Sequence, residues 1–176
     1  DVETMPAEDF VRYKDVLASL ASDVEKLYLS GKQPQLNLLT DRMMLETPNH
    51  CNAGWESITI GADGKFYLCP GFYGEESVGD VWAGLDIKNP QLLRLDHAPI
   101  CRVCDAYQCK RCVWLNRKTT GEVNTPSHEQ CVAAHLERNA SKALLESIRK
   151  PGEFLPDTDL KEISYLDPFD EVNQWK

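Results

Sequence analysis

Seven cysteines, at positions 51, 69, 101, 104, 109, 112 and 131, constrain this chain of 176 residues more than any other feature. An odd number of thiols cannot close entirely into intramolecular disulfides. The sequence also lacks a basic start followed by an apolar stretch and a small-residue cleavage site, so a secretory route is not indicated. Clustered cysteines in that context read as metal ligands before they read as a disulfide framework. Within the cluster, Cys101-x2-Cys104-x4-Cys109-x2-Cys112 packs four thiols into twelve residues. That is enough for one tetrahedral site holding zinc or a single iron. Such a site leaves Cys51, Cys69 and Cys131 over. Cubane clusters also take four protein ligands each, so seven thiols divide into one complete set and one set of three.

The elements around these thiols point to an α+β chain. Phe10, Tyr13, Leu17, Leu20, Val24 and Leu27 recur at alternating steps of three and four, which predicts an amphipathic helix between Pro6 and Ser30 that stops at Gly31. The run from Leu36 to Leu45 is ambiguous between strand and helix. From Trp55 to Leu68 the period changes to two, with Ile58 and Ile60 before Gly61-Ala62-Asp63-Gly64 and Phe66 and Leu68 after it. This predicts a β-hairpin, which carries Cys51 and Cys69 to its open end. Val78 to Trp82 reads as a short extended segment and Pro90 to Leu95 as a short helix. Thr125-Pro126 predicts the start of a second long helix, ending near Arg149 before Pro151-Gly152. Three regions are expected: 1–45 as a helical lead-in, 46–150 as the metal-binding domain with its hairpin and short helices, and 151–176 as an acidic, aromatic-containing tail. Amphipathic helices are expected to flank the domain.

Charge and hydropathy narrow the function classes. Nineteen Lys and Arg against 28 Asp and Glu give a net charge of -9, which would repel a nucleic acid. No apolar run approaches the ~20 residues that cross a bilayer, so neither a nucleic acid nor a membrane is an expected partner. A cytoplasmic location is expected. The chain starts at Asp1, consistent with a piece of a longer protein.

The ordered pattern Cys51-x12-Gly64-x4-Cys69, then Cys101-x2-Cys104, Cys109, Cys112 and Cys131, with Val78-Gly79-Asp80-Val81-Trp82 between the two groups, resembles the seven-cysteine SPASM domain, the auxiliary iron–sulfur module of many radical SAM enzymes. The run from Cys101 to Asn116, with Glu122-Val-Asn-Thr-Pro126, is similar to maturases acting on peptides with Cys-x-x-x repeats. The resemblance implies two 4Fe-4S clusters: Cys51, Cys69 and Cys112 on the first, and Cys101, Cys104, Cys109 and Cys131 on the second. It departs from the family at two places, with four residues instead of five between Cys104 and Cys109, and two instead of three between Cys109 and Cys112. The shorter pair resembles a zinc-ribbon or rubredoxin-like knuckle and leaves the site served by Cys112 open.

The expectation is therefore an auxiliary cluster domain of a radical SAM peptide maturase in the biosynthesis of ribosomally made peptides. It would bind a substrate thiolate or carry electrons during thioether formation. The alternative is a zinc or mononuclear-iron structural module presenting a protein-binding surface. Expected partners are a cysteine-containing precursor peptide, the radical SAM barrel and a redox partner. No Cys-x3-Cys-x2-Cys loop is present, so S-adenosylmethionine belongs to the parent enzyme, and this piece alone should be inactive. His50 is the candidate fourth ligand beside Cys51, and His97, His128 and His135 are expected to pack or cap. No acid–base catalytic pair is indicated. Lys110 and Arg111 are expected on a solvated face or against acidic groups of a peptide, and Tyr107 and Trp114 are expected to pack.

Overall fold

The computed structural model describes residues 5–45 and 47–149. The expectations for the acidic tail and for Pro151-Gly152 lie outside the described residues. The chain divides into two compact units. The first takes the chain through Asn49, the segment Cys104–Lys110 and the chain from Ser127 onward. The second comprises His50–Val103 and Arg111–Pro126. The α+β expectation agrees with these elements, which combine helices with small antiparallel hairpins.

In the first unit, α1 (Ala7–Leu29) packs against α4 (His128–Arg149), with the short α2 (Thr40–Met44) resting on α4. Pro6 precedes the first helical residue and Gly31 follows the last turn with φ of 82°, a conformation in which only glycine avoids strain. Phe10, Leu17 and Val24 are buried as their spacing predicts. The next buried position is Tyr28, whereas Leu27 is exposed. Heptad steps lag the α-helical period by about 20° each. After two of them a step of four restores the face and a step of three does not.

The ambiguity at 36–45 resolves as α2. Thr40 Oγ1 accepts the Leu36 N–H at 2.7 Å, and the Ser141 hydroxyl donates to the Leu39 carbonyl, tying this turn to α4. The cap of α4 is Ser127, whose Oγ accepts the Gln130 N–H at 3.2 Å, two residues beyond the predicted Thr125. Val132, Leu136, Leu144, Leu145 and Ile148 of α4 complete the core with Leu39 and Met43.

In the second unit, β1 (Thr59–Ile60) pairs antiparallel with β2 (Phe66–Tyr67), and β3 (Gly79–Asp80) with β4 (Gly84–Leu85). Thr59 faces Tyr67 and Ile60 faces Phe66. Backbone bonds from Val78 N to Phe66 O at 2.8 Å and from Val81 N to Gly64 O at 3.0 Å join the two hairpins. The apolar alternation of the first hairpin does not set its buried face. Tyr67 is 2% exposed while Ile60 is 60% exposed. With only two residues paired on each strand, the core is set by what the other segments supply: Ala53, Phe72 and Val113 gather on Tyr67. Pro90–Leu93 and Leu95–His97 form 3-10 turns in place of one helix. α3 (Val113–Thr120) closes the unit, ending at Gly121 with φ of 77°.

Candidate functional site

The structure places the seven cysteines in different surroundings. Cys51, Cys69, Cys101 and Cys112 lie in the second unit, and Cys104, Cys109 and Cys131 in the first. Cys51 is exposed, Cys101 is buried and the other five are half-buried. Burial pushes the Cys69 thiol upward, with smaller contributions from the nearby Cys112 and Cys51; the Gly71 and Phe72 N–H groups oppose the rise. Cys69 precedes the turn Pro70–Phe72 and Cys112 precedes α3. Trp114 lies flat on Gly71, where a Cβ would come within 2.6 Å of its ring.

In the first unit the Cys104 Sγ lies 3.5 Å from His135 Nε2 and accepts the Ala106 N–H at 3.4 Å. His135 is buried, so its expected packing role is joined by a thiol contact. The neighbouring Asp105 is bound by Arg138 at 2.9 Å and Arg42 at 3.4 Å, all three deeply buried or nearly so. Arg42 also stacks over Tyr107. This ion-pair group was not legible in the sequence, because its members are separated by 33 and 63 positions. Arg111 corrects another expectation. It is fully buried and donates to Asn124 Oδ1 at 2.7 Å and to the Leu93 carbonyl at 2.6 Å. Lys110 donates to the Asn49 carbonyl at 3.1 Å.

A second feature of the hairpin unit had no sequence signal. Around the β1–β2 turn stand four exposed apolar side chains: Ile60, Tyr73, Val81 and Trp82, the last 83% exposed. Val81 and Trp82 stand against Gly64 and Tyr73 against Gly61, while Ile60 pairs with Phe66 on the strand that enters the turn. A Cβ on Gly64 would touch Trp82 and Val81 at 3.4 Å, and one on Gly61 would press on Tyr73 at 2.8 Å. Tyr73 meets the buried Tyr67 edge-on at 5.4 Å. Two carboxylates fix the backbone beneath. Asp63 accepts the Tyr67 hydroxyl at 2.8 Å, and Asp80 accepts the N–H groups of Trp82 and Ala83 at 2.8 and 2.7 Å. These bonds hold both carboxyls below the usual range.

Each unit also carries a cavity. In the first, a space of about 380 Å³ is lined by Leu17, Ala18, Ala21, Leu136, Ala140 and Leu144, among other residues. In the second, a space of about 430 Å³ is lined by Leu68, Leu92, Leu93 and Val123 together with Glu76, Asp86 and Lys88, among other residues.

Fold and geometry together define a two-unit α+β protein whose cysteine-bearing hairpin unit presents an apolar rim. No protein-family model matches the chain, and no curated protein matches it significantly.

The metal expectations are corrected by the arrangement of the side chains. Among the described residues no group of three or more His, Cys, Asp or Glu is placed to hold a metal ion. Cys51 and Cys112 are near enough to Cys69 to influence its proton, but ligation is a stricter condition, with zinc–sulfur bonds of about 2.3 Å from a shared centre. The residues therefore do not fit the proposed groups. This overturns the SPASM resemblance and the metal-bound form of the fold class. It also overturns the radical SAM maturase reading, with its two 4Fe-4S clusters, thioether and electron-transfer roles, and the assignment to ribosomal-peptide biosynthesis. The zinc or mononuclear-iron alternative falls on the same finding, as does the inferred link to S-adenosylmethionine in a parent enzyme. Among the described residues no helix is long and apolar enough to cross a membrane.

Proposed function

We propose that this chain is a peptide-binding module whose recognition face is the apolar rim of the hairpin unit. One observation carries the reading: Trp82 is 83% exposed at the tip of β3–β4, with Val81 beside it against Gly64 and Tyr73 against Gly61 at the other end of the turn. Exposed apolar side chains gathered at one turn mark an interaction site more often than singly scattered ones do, and tryptophan is enriched among residues that dominate binding energy. The backbone bonds to Asp80 hold the tip in place before a partner arrives, which lowers the ordering cost of association. Cys51, exposed on the same unit, is the thiol best placed to meet a cysteine-containing peptide.

The test is selection of a displayed 12-residue peptide library on the whole chain, followed by binding of the winners to Trp82→Ser. Trp82 makes no core contact that the change would remove, and thermal unfolding checks the fold. The winners are expected to lose at least about tenfold in affinity, the loss of an ordinary hot spot. Winners that bind the variant as tightly as the parent would overturn the reading.

A further inference from the structure

Resting on that reading, we infer that the peptide carries a lysine or arginine about four residues from its apolar anchor, seated in the cavity at the base of the β3–β4 hairpin. Trp82 stands at the tip of this hairpin. Val78 and Asp86 stand at its base, where the Asp86 N–H donates to the Val78 carbonyl at 2.7 Å. Both residues line the cavity of about 430 Å³. The hairpin thus links the apolar rim and the cavity through four residues of one strand. At about 3.3 Å per extended residue, a bound segment running alongside covers the same distance in about four of its own residues.

The cavity has the chemistry of a long basic side chain. Leu68, Leu92, Leu93 and Val123 offer apolar lining, and Glu76 and Asp86, both exposed, add carboxylates to it. Lysine and arginine bury their methylene stems on apolar surface while the cationic head stays at a polar edge. Lys88 also lines the cavity and subtracts from its negative charge. The wider field has the same sign. Between Gly61 and Lys88 there are five acidic residues, Asp63, Glu75, Glu76, Asp80 and Asp86, against Lys65 and Lys88. Asp63 and Asp80 are held ionised by their hydrogen bonds. Such a field steers a basic partner and rejects an acidic one.

The experiment uses three synthetic ten-residue peptides that share a Leu-Phe anchor and carry lysine, norleucine or glutamate four positions further on. They are titrated into the isotope-labelled whole chain and followed by amide shifts of the hairpin unit. The lysine peptide is expected to bind about tenfold tighter than the norleucine peptide, with glutamate weakest. The difference should shrink at 0.5 M salt, where exposed charges are screened. Glu76→Gln with Asp86→Asn should bring the lysine peptide down to the affinity of the norleucine peptide, and Lys88→Glu should widen the lysine preference. Equal binding of lysine and norleucine peptides would overturn this inference and leave the peptide-binding reading standing. Equal binding of all three to Trp82→Ser and parent, or no binding by any of them, would overturn both.

Discussion

At the scale of single residues, the informative groups are polar side chains placed where burial changes their chemistry. Glu137 on α4 accepts the Tyr13 hydroxyl from α1 at 2.8 Å. Burial raises its carboxyl above the usual range, and the hydrogen bonds from Tyr13 and Gln108 only partly offset this. The Tyr13 hydroxyl is itself pushed upward by burial and by Glu137. A carboxyl raised on folding holds its proton more tightly in the folded state than in the unfolded chain, where it titrates at about 4.3. Its contribution to stability is complete below that value and is lost as pH rises through the raised folded value. Glu137→Gln has no such proton. The melting temperature of the parent relative to this variant is therefore expected to fall as pH rises from 4 to 7, followed by circular dichroism. A difference that stays constant across that range would show that Glu137 is not perturbed.

At the scale of elements, the hairpins illustrate how little pairing a small sheet needs when its turns are fixed. β3 and β4 pair only Gly79 with Leu85 and Asp80 with Gly84. Gly79 takes φ of 125°, and a Cβ there would overlap the Gly84 carbonyl. Gly84 also has positive φ, at 85°, but open space around it. Gly79→Ala combines strain with a backbone collision and is expected to cost about 3 kcal/mol in urea unfolding. Gly84→Ala carries only the left-handed penalty, about 1 kcal/mol. Because Trp82 is displayed by this hairpin, Gly79→Ala should also weaken peptide binding. Equal costs for the two variants would mean that the close approach at Gly79 is relieved in solution.

At the scale of the whole molecule, each unit has its own core, one made by α1, α2 and α4 and one by the hairpin residues with α3. Neither core is organised around a group of metal ligands among the described residues. Metal-dependent domains lose their fold when the ion is withdrawn. Here a strong chelator is expected to leave the thermal transition of the full chain within about 1 °C of its untreated value, the behaviour of a fold held by apolar burial. A large drop on chelation, restored by zinc or iron, would return the cysteines to a ligand role.

The sequence by itself determined the elements whose signals are local. The stripe on α1, the glycine stop at 31, the turn at 61–64 and the existence of a second long helix were all legible in it, because backbone geometry repeats every few residues and glycine and proline mark its breaks. It also showed where the thiols lie along the chain, which is why a metal centre was the natural expectation. Only the tertiary structure decided which face of the first hairpin is buried, that Arg111 turns inward, and that Arg42 and Arg138 meet at Asp105. It likewise decided that no group of three or more described His, Cys, Asp or Glu is placed to hold a metal ion and that Trp82 faces outward. Each of these depends on which distant segments arrive at a given side chain. Spacing along a chain restricts the directions available to a residue, but burial and coordination are settled by the atoms that fill the space around it.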